Sequence, residues 1–282
     1  MSPCTETPVH ILTEASAAWG IVSAPHHSAF ETGVIIITGG LQYRAGAHRQ
    51  AVLLSRQLAA AGFPTLRFDL AGLGDATGLT QDFEHVGEQL TAALDALTSQ
   101  LPSMKHVVLW GLCDAASAAL LHWQASADPR IAGLCLVNPW VRSDTGLART
   151  HIKHYYGHRL AEWSFWRKLL TGGVGTKAIE QLVGTLRTSL HRPEATQSFQ
   201  QKMAQSWHNF SAPILLLISE RDLTGQEFLD HARTDTAWRG CLQKGNVQQH
   251  IMPGADHTCS TQGGHELLVQ LTQQWLLSRF KH

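Results

Sequence analysis

His106-Val107-Val108-Leu109-Trp110-Gly111-Leu112-Cys113-Asp114-Ala115-Ala116-Ser117 opens as an apolar run of strand length. It passes through a glycine and a cysteine into an alanine-rich segment that reaches Ser126. The periodicity changes there from strand to helix. Small residues on both sides of Cys113 let a tight turn lift its side chain above a sheet. The helix that starts at this point aims its free N–H groups and positive dipole end at that side chain. For a thiol the same field favours the thiolate. The arrangement predicts a nucleophile elbow of the G-x-S-x-G kind, with cysteine in place of serine and Ala115 in place of the final glycine.

Further out, strand-length runs alternate with amphipathic helical stretches, the mark of a mostly parallel sheet with helices on both faces. Val9–Thr13 and Trp19–Ser23 predict a leading hairpin, and Val34–Thr38, Thr65–Asp69, Ile131–Val137, Pro213–Ser219 and Val247–Met252 predict buried strands. Helices are expected over 49–61, 83–98, 225–238 and 265–280. Three further groups then fall at strand ends. Gly39-Gly40-Leu41 follows Val34–Thr38 and is placed to supply an oxyanion N–H from Gly40 or Leu41, beside the N–H of Asp114. Asp222 follows Pro213–Ser219, where an acid can orient an imidazole. His257 lies on the loop Pro253-Gly254-Ala255-Asp256-His257 before the last helix, the place of the general base. The chain order nucleophile, acid, histidine is that of an α/β-hydrolase triad.

Other readings compete at each position. Ser117, one turn past the elbow, suits helix packing better than catalysis. Glu220 and Asp230 are alternative acids, but Asp230 falls in mid-helix. Asp256 reads as a loop former, and His265 already belongs to the final helix. Of the five cysteines, Cys135 sits in an apolar strand, and Cys4 and Cys241 carry no signal. Cys259, two residues past His257, opens a redox alternative if its sulfur can reach Cys113.

The chain has 282 residues with 22 Lys plus Arg against 22 Asp plus Glu, so no excess charge points to nucleic acid or an anionic membrane. The cysteines are odd in number and lack CxxC spacing, which argues against a disulfide framework or structural zinc. There is no HExxH and no P-loop, so neither a metal nor a cofactor is expected. Apolar runs are too short to span a bilayer, and the start lacks a basic and apolar leader, which predicts a cytoplasmic protein. From 140 to 210 the strand signal stops. This stretch holds 9 of the 21 aromatics, and ten Lys or Arg against four Asp or Glu. It predicts a helical cap (140–210) inserted between two parts of the core (1–139 and 211–282).

Gly39-Gly40-Leu41-Gln42-Tyr43-Arg44 with His48-Arg49-Gln50, Leu66-Arg67-Phe68-Asp69 with Gly72-Leu73-Gly74-Asp75, and Gly111-Leu112-Cys113-Asp114-Ala115-Ala116 carry a resemblance. They resemble the exosortase A system-associated hydrolase 1 family, α/β-hydrolases found beside bacterial exopolysaccharide and PEP-CTERM protein-sorting loci. The resemblance implies the α/β-hydrolase fold and a cysteine nucleophile. A Cys-His-Asp triad on this fold is also similar to that of dienelactone hydrolases, which lack a cap.

The expected chemistry is acyl transfer from an ester or thioester through acyl-Cys113, with His257 as base and Asp222 as its orienting acid. Hydrolysis and transfer to another acceptor share this intermediate, and a non-catalytic binding protein on the same fold is the alternative from another class. Gln42, Arg44 and Arg49 either hold an anionic part of a substrate or tie their loop to the segment after Asp69. Trp163, Phe165 and Trp166 of the cap either line a lipid-like pocket, suited to a carrier- or CoA-linked acyl group, or dock the cap.

Overall fold

The computed structural model describes residues 4–27, 29–142 and 197–281. The chain divides into two compact units, one of Met1–Val141 with Ser198–His282 and one of Arg142–Gln197. The strands and helices below belong to the first. Trp163, Phe165 and Trp166 lie outside the described residues.

Eight strands form one sheet: β1 (Cys4–Leu12), β2 (Ala17–Pro25), β3 (Thr32–Ile37), β4 (Thr65–Phe68), β5 (His106–Leu112), β6 (Ile131–Val137), β7 (Ile214–Ser219) and β8 (Val247–Met252). Their order is β1-β2-β4-β3-β5-β6-β7-β8. The leading hairpin pairs antiparallel, β2 is antiparallel to β4, and β3 to β8 run parallel. The helices are α1 (Gln50–Ala60), α2 (Gly87–Gln100), α3 (Asp114–Ser126), α4 (Phe199–Asn209), α5 (Leu223–Thr234) and α6 (Gln262–Phe280). This is the α/β-hydrolase fold that the sequence predicted.

The central strands read as unbroken apolar runs because both faces are covered. Their residues still alternate. Ile35, Ile37, Val107, Leu109, Leu134, Leu136, Leu216 and Ile218 pack on one side with α2, α3, α4 and α5. Val34, Ile36, Val108, Trp110, Cys135, Val137, Leu215 and Leu217 pack on the other with α1 and α6. Each fully buried aliphatic side chain contributes about 1.5–3 kcal/mol, so sliding a strand by one residue costs far more than any single loop can restore. The edge strand β8 is only half-buried and carries Gln248, Gln249 and His250, which discourages pairing with a further strand.

α4 lies in the stretch expected as a cap, yet it packs in this core. Its capping box at Ser198 and Gln201 fixes its start. Ser206 Oγ donates to the carbonyl of Leu120 at 2.7 Å, and Trp207 Nε1 donates to that of Cys241 at 2.9 Å. Trp207 stacks with Phe228 and Trp238, so this helix closes the sheet face beside α3.

Parallel pairing brings the carboxyl ends of β3, β5, β6 and β7 together, with Ile37 opposite Gly111 and Leu112 opposite Val137. The loops that leave these ends therefore meet above one edge of the sheet, as open α/β sheets dictate. Among the described residues no helix is long and apolar enough to cross a membrane. Leu216→Ala should lower the unfolding free energy by about 2–5 kcal/mol in urea, whereas Leu12→Ala, on an exposed side chain, should stay within about 0.5 kcal/mol.

Candidate active site

Cys113 occupies the single residue between β5 and α3, with φ 65° and ψ −127°. A non-glycine residue adopts positive φ only where its surroundings hold it there. Three contacts do so. Cys113 N–H donates to the carbonyl of Val137 at 2.9 Å, while its own carbonyl accepts from Ala116 and Trp140. Gly111 is required beneath the turn, because a Cβ there would meet the carbonyl oxygen of Ala115 at 2.5 Å. Gly39 is required above it, where a Cβ would strike the Asp114 carboxylate and the carbonyl of Leu112. Ala115 is buried and fits where the motif usually has glycine.

Asp222 follows β7 and caps α5, its carboxylate accepting from the N–H groups of Thr224 and Gly225, each at 3.1 Å. His257 follows β8, with Nδ1 3.0 Å from Asp222 Oδ2. Burial alone would raise the Asp222 carboxyl, but the imidazole of His257 beside it, with the two N–H groups, holds it below its usual range. His257 is pushed up from 6.5 to about 10, first by the Asp222 carboxylate beside its Nδ1 and then by Cys113, against the cost of burial. The structure thus brings Cys113, His257 and Asp222 into one chain of contacts. The rivals are occupied otherwise. Ser117 is buried and donates to the carbonyl of Trp140 at 2.6 Å. Glu220 accepts from Gly254 N–H at 2.7 Å, and Asp256 accepts from Ser260 at the turn.

Asn138 is a positioning residue that the sequence reading passed over. It sits just past β6, fully buried, at φ 45°. Its Oδ1 accepts from Ser219 N–H at 2.8 Å. Its Nδ2 donates to Ser219 Oγ at 3.0 Å and to the carbonyl of His257 at 3.2 Å. One side chain thus ties the end of β7 to the histidine loop. An Asn-Pro pair at a strand end reads as a turn, and only the left-handed backbone with a buried amide gives it more meaning.

The loop after β3 differs from its simplest reading. Gly40 N–H does not stand open, since it donates to both oxygens of the Asp114 carboxylate at 2.8 and 3.0 Å. The N–H of Leu41 has no partner among the described residues, and its side chain is exposed. Burial raises the Asp114 carboxyl, opposed by hydrogen bonds from Gly40, Ala115 and its own N–H.

Arg44 pairs with Asp69 and with Asp75 at 2.7 Å and lies over the ring of Tyr43. It ties its loop to the segment after β4, one of the two roles considered for it. Gln42 Oε1 accepts from Ala47 N–H at 2.9 Å, within the same loop. Arg49 is exposed, at φ 61°, with no ion pair among the described residues. The next residue, Gln50, donates to the carbonyl of Thr258 at 2.8 Å, which joins this loop to the histidine loop. Cys113, Cys135, Cys241 and Cys259 are in no disulfide. Cys259 is buried against Ser219 Oγ at 3.9 Å, and burial pushes its thiol up to about 11, which makes it a poor resolving thiol. Among the described residues no three His, Cys, Asp or Glu side chains gather to hold a metal ion.

Two predictions follow from this geometry. Asn138→Asp puts an acceptor against Ser219 Oγ and the His257 carbonyl. It should cost about 2–4 kcal/mol in thermal or urea unfolding and slow Cys113 alkylation. The raised His257 has a separate consequence. Its stabilising contribution is complete below pH 6.5 and is lost as pH rises towards about 10. The stability gap between the wild type and His257→Gln should therefore narrow steadily over that window when unfolding is measured as a function of pH.

Comparison with known proteins agrees with this architecture. A model of the Alpha/beta hydrolase family matches residues 34–270. No curated protein matches the chain's sequence. Among solved structures, the chain is similar to the esterase Pf2001 of Pyrococcus furiosus, with TM-score 0.65 and 17% identity over 98% of this chain and 94% of that one. It is similar to a dienelactone hydrolase from Anabaena variabilis, with TM-score 0.62 and 15% identity over 99% of both chains. It is also similar to Est1E of Butyrivibrio proteoclasticus, solved with ferulic acid, with TM-score 0.63 and 14% identity over 97% and 99%. At these identities the structural likeness speaks for the fold alone, whereas the family model covers most of the sequence. The chain belongs to the Alpha/beta hydrolase family.

Proposed function

We propose that the chain is an ester or thioester hydrolase that works through an acyl-Cys113 intermediate, with His257 and Asp222 completing a triad. One observation carries this reading. His257 is bracketed by Asp222 and Cys113, each delivered by a different strand end, while the nucleophile sits at positive φ on the elbow. Placed between the two, His257 can take the thiol proton and then protonate the leaving group.

In the first half-reaction His257 takes the thiol proton as the Cys113 sulfur adds to the carbonyl carbon. The bond to the leaving oxygen or sulfur breaks, and His257 gives that atom its proton. In the second half-reaction the neutral His257 takes a proton from water as the water oxygen adds to the acyl carbon. The carbon–sulfur bond then breaks, releasing the acid, and the proton on His257 returns to the Cys113 sulfur. Asp222 keeps Nδ1 of His257 in place through both steps. The N–H groups of Asp114 and of Gly40 or Leu41 would hold the oxyanion, each worth about 3 kcal/mol in the transition state. The elbow and the Gln42–Arg44 stretch that resemble the exosortase-associated family support a role beside exopolysaccharide and protein-sorting loci. A carrier- or CoA-linked acyl donor suits a sulfur nucleophile, whose acyl intermediate passes readily to water or to another acceptor.

Intact-mass spectrometry after exposure to a panel of acyl esters and thioesters should show a single acyl adduct. Peptide mapping should place it on Cys113, and folded Cys113→Ala should lack it. His257→Ala should slow iodoacetamide labelling and move its pH profile towards that of an ordinary thiol near about 8.5. An adduct that persists in folded Cys113→Ala, or a wild-type profile already centred at the ordinary value, would defeat the assignment. The second outcome would instead favour a non-catalytic binding protein.

A further inference from the structure

We propose that Gln50 is a positioning residue for the general base: its buried amide, delivered by the strained turn at His48 and Arg49, fixes the loop that carries His257. The inference deepens the triad reading of His257 and rests on it.

The entry to α1 is an unusual piece of backbone. His48 and Arg49 lie at φ 50° and 61°, the only adjacent pair of non-glycine residues at positive φ among the described residues. Such a pair persists only where its surroundings hold it. Local bonds close the turn, with Ala47 N–H donating to Gln42 Oε1 at 2.9 Å and Ala51 N–H to the carbonyl of Ala45 at 3.0 Å. The helix gains no cap from it, since no side chain bonds the first amides of α1. What the turn delivers is the next residue. Gln50 is 7% exposed, although glutamine belongs mostly at surfaces. Its Nε2 donates at 2.8 Å to the carbonyl of Thr258, the residue after His257.

The histidine loop is thereby gripped at three consecutive residues. The carbonyl of His257 accepts from Asn138 Nδ2 at 3.2 Å, and that of Thr258 accepts from Gln50. Cys259, itself at φ 49°, sets its sulfur 3.9 Å from Ser219 Oγ. Asn138 and Ser219 belong to the ends of β6 and β7. Gln50 comes from the other direction, the segment that follows the Gly39–Leu41 loop.

Apolar packing does not replace this bond. Ala51 and Leu54 of α1 share a buried cluster with Ala255 and Cys259, so helix and loop are in any case held near each other. Apolar contact is non-directional, whereas an amide–carbonyl bond loses strength steeply when it bends. Gln50 therefore fixes the place of the Thr258 carbonyl, and through one peptide link the place of His257. The distance at stake is the 3.0 Å between His257 Nδ1 and Asp222 Oδ2. A loop that drifts lengthens it and weakens the attraction between the two groups. One turn thus serves both sides of the proposed reaction, continuing the loop of the oxyanion donors and holding the loop of the base.

The experiment follows the His257 imidazole by NMR titration, its signal assigned by loss in His257→Gln, and records unfolding midpoints alongside. Wild-type His257 should titrate well above 6.5. Gln50→Met keeps the length of the side chain and removes the donor; Gln50→Asn keeps the amide but is one methylene too short to reach. In each variant the His257 midpoint should fall by about one pH unit or more towards 6.5, and iodoacetamide labelling of Cys113 should slow. Leu58→Ala is the control, a fully buried position further along α1. It should lower the unfolding midpoint at least as far and leave the His257 titration where it is in wild type. A His257 midpoint unchanged in the folded Gln50 variants, or moved equally by Leu58→Ala, would overturn the positioning role. A wild-type His257 that titrates at 6.5 would remove the triad reading, and the role of Gln50 with it. Wild type alone reports that outcome, so the two failures are told apart.

Discussion

Cys113 can stand at positive φ only because two glycines make room for it, Gly111 beneath the turn and Gly39 across from it. A side chain at either position would collide with the backbone that begins α3 or with the carboxylate of Asp114. From this turn the other relations follow. The strand ends one residue before the nucleophile and the helix starts one residue after it. The loop after β3 runs close to the elbow, with Gly39 packed against it and Gly40 N–H bonded to the Asp114 carboxylate.

The rest of the site depends on the parallel sheet. Strands running in the same direction deliver their outgoing loops to one edge, so Asp222 and His257 meet although β8 comes between them in the chain. Asn138 makes this meeting rigid. A single buried amide bonds Ser219 and the His257 carbonyl, linking the end of β6 to the end of β7 and to the loop after β8. A residue of this kind touches no reacting atom. It holds the loop that carries the imidazole of the proposed triad.

Asp114 shows the opposite situation, a group with more than one claim on it. Its N–H is one of the proposed oxyanion donors, while its carboxylate holds the N–H of Gly40. A serine-type elbow gains little from a carboxylate beside the nucleophile, since negative charge opposes an oxyanion. Its place here is structural, since the carboxylate fixes the Gly40 amide against the start of α3.

Much of this was legible in the amino-acid order. Buried parallel strands are continuous apolar runs and amphipathic helices repeat every three to four residues. The strands, the elbow and the places of Asp222 and His257 at strand ends could therefore be read directly. These are local patterns joined by a topology with few alternatives. The sequence also offered both roles for Arg44, and the ion pairs with Asp69 and Asp75 show the structural one. What the chain order could not decide were contacts between residues far apart in it. The hold of Asp114 on Gly40, the three bonds of Asn138 and the packing of α4 against α3 are of this kind. Each depends on the direction of one side chain after the sheet has closed, and a pattern of residue types carries no such direction.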